Sequence, residues 1–126
     1  MKYVETWSET VDVNNDFNPT TGTFTAPRTG LYIFNFSFST TGVDFNDNSV
    51  LECQMVCSNS AKTVKTIMSY PVSTPGSNTL DIGGQVSVVV NLTASETIRP
   101  AIYHNVAATI QLKADSDFNH LSIVEL

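Results

Sequence analysis

A chain of 126 residues, 41% hydrophobic and 10% aromatic, can bury one core without disulfide staples. Only 14% of its residues are charged, against ~25% in ordinary soluble domains, so Thr, Ser and Asn must supply most of the polar surface. A net charge of −6 without any Lys/Arg cluster disfavours direct nucleic-acid binding and docking on anionic lipid, and no apolar run approaches the ~18 residues of a membrane span.

Residues 3–13, YVETWSETVDV, alternate imperfectly and read as one or two strands with a break near Ser8. The opening MKYVETWSETV lacks an apolar signal region followed by a small-residue cleavage site, so export by that route is not expected unless the chain is cut from something longer. VNNDFN (13–18) reads as a polar turn with Phe17 tucked under a sheet edge. Asn18 and Pro19 then open a turn that Gly22 closes, since Pro presets φ and Gly supplies conformations other residues avoid. Phe24 and Ala26 alternate with threonines in a short strand that stops at Pro27, and Gly30 marks a second turn. Beyond it Tyr32, Phe34, Phe36 and Phe38 fall on one face at period two. Four rings on one face of one strand require a second layer to cover them. The other face reads Leu31, Ile33, Asn35, Ser37 and Ser39, mixed rather than freely solvated.

The series Asn18-Pro19-x-Thr21-Gly22-x-Phe24-Thr25-x-Pro27-x-x-Gly30-x-Tyr32-x-Phe34 resembles the signature of the complement C1q globular head, within the C1q and tumour-necrosis-factor-like jelly rolls. Its fixed spacing over two turns and two strands speaks for fold more than for function, because one fold hosts many functions. The resemblance implies a single C1q-like domain over residues 1–126 and an antiparallel jelly-roll β-sandwich of roughly ten strands. It also implies a three-fold homo-oligomer, with one sheet of each subunit near the axis.

A Gly/Asp/Asn-rich loop follows at 40–49, then VLECQMVCS (50–58), a strand whose likelier core face is Leu51, Cys53, Met55 and Cys57. Cys53 and Cys57 on one strand stand ~13 Å apart at ~3.3 Å per residue, beyond the ~7 Å a disulfide tolerates. They read as small apolar residues, since no nearby His or further Cys completes a zinc set. TVKTIMSY (63–70) is a strand, and PVSTPGSNTLDIGG (71–84) a long loop. QVSVVVNLT (85–93) places Val86, Val88 and Val90 on one face and Ser87, Val89 and Asn91 on the other. TIRPAIYHN (97–105) contains Pro100, which lacks a ladder donor and is expected at an edge or bulge. A short apolar run (107–112), a polar loop and a strand over FNHLSIVEL (118–126) follow. GGQVSVVVNL and FNHLSIVEL are similar to the family's later strands, with His120 at a position the family commonly gives to Gly.

The core is therefore expected to include Phe24, Tyr32, Phe34, Phe36, Phe38, Val86, Val88, Val90, Leu121 and Ile123. Apolar residues on the opposite face of the same strands, mixed with polar ones, make the expected trimer contact: Leu31, Ile33, Asn35, Val89, Asn91, Ser122 and Val124.

No phosphate-cradling glycine loop, nucleophile elbow, dinucleotide fingerprint or H-E-x-x-H occurs. Asp44-x-Asn46-x-Asn48 opens like an EF-hand loop but fails at Ser49 and Met55, where Gly and Glu are needed. Asp44, Asp47 and Asn48 stand as a candidate calcium loop and Asp115 and Asp117 as a second acidic loop, both set against ordinary loop composition, and no other cofactor is indicated. His104 and His120 lack a third ligand. Asn35-Phe36-Ser37 and Asn91-Leu92-Thr93 fit glycosylation sequons but lie mid-strand and read as chance. With acids gathered in loops, a non-enzymatic module is expected.

Three functional readings stay open. One is a trimeric structural and receptor-recognition head of a bacteriophage fibre or bacterial surface protein, on a virion or cell surface. The second is a secreted cytokine- or complement-like ligand of a protein receptor. The third is a carbohydrate-binding β-sandwich. The loops at 42–49, 71–84 and 113–117 are the candidates for contact with a protein or glycan receptor.

Overall fold

The computed structural model describes residues 1–12, 14–44, 49–69, 79–106, 109–114 and 116–126. Twelve strands are seen among them. The first six are β1 (Lys2–Tyr3), β2 (Phe17–Asn18), β3 (Thr23–Thr25), β4 (Gly30–Thr41), β5 (Val43–Asp44) and β6 (Val50–Cys57). The rest are β7 (Val64–Ser69), β8 (Thr79–Leu80), β9 (Gly83–Leu92), β10 (Thr97–His104), β11 (Gln111–Leu112) and β12 (His120–Glu125). One sheet runs β2-β3-β10-β6-β7 with β1 beside β10. In the other, β4 is flanked by β9 on one side and by β12 and β11 on the other. A separate β5–β8 ribbon joins what the sequence reads as two plain loops. Every strand pair described is antiparallel.

β4 is the hub because its period-two pattern continues for twelve residues without a break. Tyr32, Phe34, Phe36 and Phe38 face the opposing sheet and are no more than 3% exposed. Phe24 meets Tyr32 and Phe34 edge-on at centroid distances of 5.4 and 5.8 Å. Leu51, Cys53, Met55 and Cys57 of β6 close the core from across the sandwich, and both thiols are free and buried. Burial pushes the Cys53 thiol up to about 12, so it stays protonated and inert as a nucleophile at neutral pH. Val86 and Val90 are buried, whereas Val88, Leu121 and Ile123 are half-buried. Among the described residues β12 pairs only with β4, so the inward Leu121 and Ile123 lie at the sheet's margin.

Three expectations need correcting. The N-terminal stretch contributes only β1 as strand; afterwards the N–H groups of Thr6 and Trp7 bond to the carbonyls of Thr20 and Pro19, at 3.2 and 2.8 Å. That segment crosses over the β2–β3 turn instead of extending a sheet. The 13–18 stretch holds strand β2, not only a turn. Pro100 stands in an interior strand, opposite Met55 of β6, rather than at an edge or bulge. In an antiparallel ladder a residue's N and O point to the same side. The Pro100 carbonyl accepts from Val4 N–H at 3.0 Å on the side away from β6. On that side β1 pairs with residues 101 and 102 and β3 with residues 97 and 98, so the missing donor falls in the gap between two short strands.

The turns are fixed by local bonds. Asn18 Oδ1 accepts from Thr20 and Thr21 N–H at 3.0 and 3.4 Å, while Gly22 N–H donates to the Asn18 carbonyl at 2.8 Å. Glu96 ties two turns together, accepting from Lys62 Nζ at 2.6 Å and Thr93 N–H at 2.8 Å. Those bonds, the Lys62 one foremost, hold the Glu96 carboxyl below its ordinary value of 4.5. Asp81 is lowered by Gly42 N–H and then Lys113, and Glu125 by Arg28. A carboxyl whose folded value is depressed stabilises the fold above its unfolded value, and that stabilisation is lost as pH falls through the folded value. The melting temperature is therefore expected to decline below about pH 4.5, and Glu96→Gln to flatten that decline. A pH series of thermal melts checks this; identical profiles for the two proteins would refute it.

Candidate functional site

Register brings the expected contact residues onto one outer face. Across β12, β4 and β9, Val124 stands opposite Ile33 and Ile33 opposite Val89. One step along, Ser122, Asn35 and Ser87 align, and Leu31 lies opposite Asn91. Leu31, Val89 and Val124 are 47%, 52% and 52% exposed, and Asn91 and Ser122 are exposed beside them. Asn35 bridges all three strands: its Nδ2 donates to Ser122 Oγ at 3.3 Å, and Ser87 Oγ donates to its Oδ1 at 2.6 Å. The face thus carries an apolar row, Val124–Ile33–Val89, next to a hydrogen-bonded polar row, Ser122–Asn35–Ser87. Aliphatic side chains alternate here because the inward positions of the same strands are taken by rings and valines.

The two histidines lie apart in topology, His104 on β10 in one sheet and His120 on β12 in the other. Among the described residues no three His, Cys, Asp or Glu side chains gather as a metal site. Of the candidate calcium loop, Asp47 and Asn48 lie outside the described residues, and Asp44 is placed only as part of β5. Most of the 71–84 loop, and parts of the 42–49 and 113–117 loops, also fall outside them. Asn35, which heads one of the two sequons, is engaged in the Ser87–Ser122 bridge.

A second feature was not read from the sequence. Between residues 7–17 and β12 opens a cavity of about 730 Å³. Trp7, Phe17, Phe24 and Tyr32 line it from within, and Leu121 and Ile123 from the β12 side. No short motif marks it, since its walls are a hundred residues apart in the chain.

The C1q domain family model matches residues 4–118. Among solved structures the globular domain of the zebrafish complement 1qA protein is similar, at 20% identity and a TM-score of 0.57, over 97% of this chain and 79% of that one. No curated protein sequence matches the chain.

Proposed function

The chain belongs to the C1q domain family, and from that premise we propose a non-enzymatic recognition module that assembles as a homotrimer through the outer face of β12, β4 and β9. The observation that carries this reading is the exposure of Leu31, Val89 and Val124 side by side on that face. A contiguous aliphatic patch in water is costly to leave open, and rimmed by Asn and Ser it has the make-up of a subunit contact. A closed three-fold arrangement fits the trimer that the family resemblance implies.

Such a head presents its loops outward to a protein or glycan receptor, on a virion, on a cell surface or outside the cell. Low surface charge and two unbridged cysteines support a phage-fibre or bacterial-surface setting over a secreted, disulfide-stabilised ligand. No described helix is long and apolar enough to cross a membrane.

Light scattering at micromolar concentration is expected to give three times the 13.7 kDa chain mass. Ile33→Asp and Val89→Asp are each expected to give folded monomer, since a carboxylate in that contact loses its water without gaining a partner. A wild-type monomer, or a trimer that survives both substitutions, would defeat the proposal.

A further inference from the structure

Strand β12 has a second edge. Its N–H and C=O groups alternate in direction along the chain. Leu126 N–H donates to the Leu31 carbonyl at 2.9 Å, so the even-numbered positions point at β4. Those of Leu121, Ile123 and Glu125 then point away from β4, and among the described residues no strand pairs with that edge. It borders the 730 Å³ cavity. A sheet edge over an open apolar floor is a template for one more strand.

Charge selects what can enter. Glu9, Asp12 and Asp16 line one wall, Asp117 and Glu125 the other, and among the described residues no Lys or Arg lines the cavity. Arg28 pairs with Glu125 and more weakly attracts Asp16, so the acids of this cavity are offset only in part. The Asp12 carboxylate accepts from the N–H groups of Asp16 and Phe17 at 3.2 and 3.3 Å, so it is fixed in place. A second copy docked by this same edge would bring these acids against their own counterparts and be repelled.

We propose that the free edge of β12 takes up an extended, Lys/Arg-bearing segment of a partner protein as an added strand. Main-chain bonds to Leu121, Ile123 and Glu125 would hold it. Its apolar side chains would cover Trp7, Phe17 and Leu121, and its cations would face Glu9 and Asp16. This goes beyond the proposed self-association, which uses the face of the sheet and not this edge.

Trp7 is the chain's one tryptophan and lines the cavity, so its fluorescence reports entry. The probe is a capped Val-Lys-Val-Lys-Val-Lys peptide at low ionic strength, where it is expected to bind saturably. The same peptide with Glu for Lys should bind at least about tenfold more weakly, as should Glu9→Gln/Asp16→Asn protein with the Lys peptide. Methylating alternate backbone nitrogens of the Lys peptide removes ladder donors and keeps charge, and should also cost about tenfold. Ile33→Asp protein should bind the Lys peptide as wild type does, separating this site from the trimer contact. Equal binding of the Glu or N-methylated peptide, or no saturable Trp7 change with the Lys peptide, would overturn the proposal.

Discussion

Phe34→Ala is expected to lower the unfolding free energy by about 3–5 kcal/mol. The ring is fully buried, lies between Val88 and Ile123 in register, and meets Phe24 edge-on. Removing it leaves a hole bounded by other rings, which are too stiff to fill it by changing rotamer. Against a total of roughly 5–15 kcal/mol for a domain of this kind, that loss is severe. It should appear as a fall of roughly 10–20 °C in melting temperature. Urea unfolding at fixed protein concentration measures it, and a loss under about 1 kcal/mol would show that this ring does not anchor the sandwich.

The second large effect comes from a residue with no side chain. Gly22 has φ of +69°, and a Cβ there would collide with the Val4 carbonyl oxygen and lie 3.0 Å from Trp7 Nε1. Trp7 Nε1 also donates to that carbonyl, at 3.0 Å, so the whole N-terminal crossing rests on this spot. Gly22→Ala combines the ~1–2 kcal/mol cost of left-handed backbone with a forced shift of main chain, and is expected to cost about 2–4 kcal/mol. Trp7 emission should move to the red as the crossing lifts. Gly30→Ala is the control: a Cβ added there would meet nothing within 4 Å, and the φ of Gly30 is outside the left-handed range. It should be close to neutral, and equal effects at both glycines would contradict this account.

How far the fold could be read depended on range. The two faces of β4 follow from period two alone, because side-chain direction in a strand is a local property. The Asn18–Gly22 turn was legible for the same reason, its bonds spanning only a few residues. Pro100 misled because the rule against interior prolines counts sheet neighbours strand by strand, whereas here two short strands leave a narrow opening between them. The crossing at Thr6 and Trp7 was missed because its partners are the carbonyls of a turn, which carry no sequence signature. Of the two sites, the outer face was accessible as the complement of the core pattern. The cavity was not, since Glu9 and Asp16 come to line the same space as Glu125 only through tertiary folding.

The central position of β4 also has a consequence for how the protein is made. Asn35 and its β12 partner Ser122 are 87 residues apart. A ribosome adding ~5–20 residues per second needs roughly 4–17 s between them. For most of that interval the four rings of β4 have been made while a strand that flanks it has yet to be synthesised. Pairings this distant also make folding intrinsically slow once the chain is whole. The strand that organises the finished sandwich is therefore the part of the nascent chain most exposed to wrong partners, and the one a chaperone would have most reason to hold.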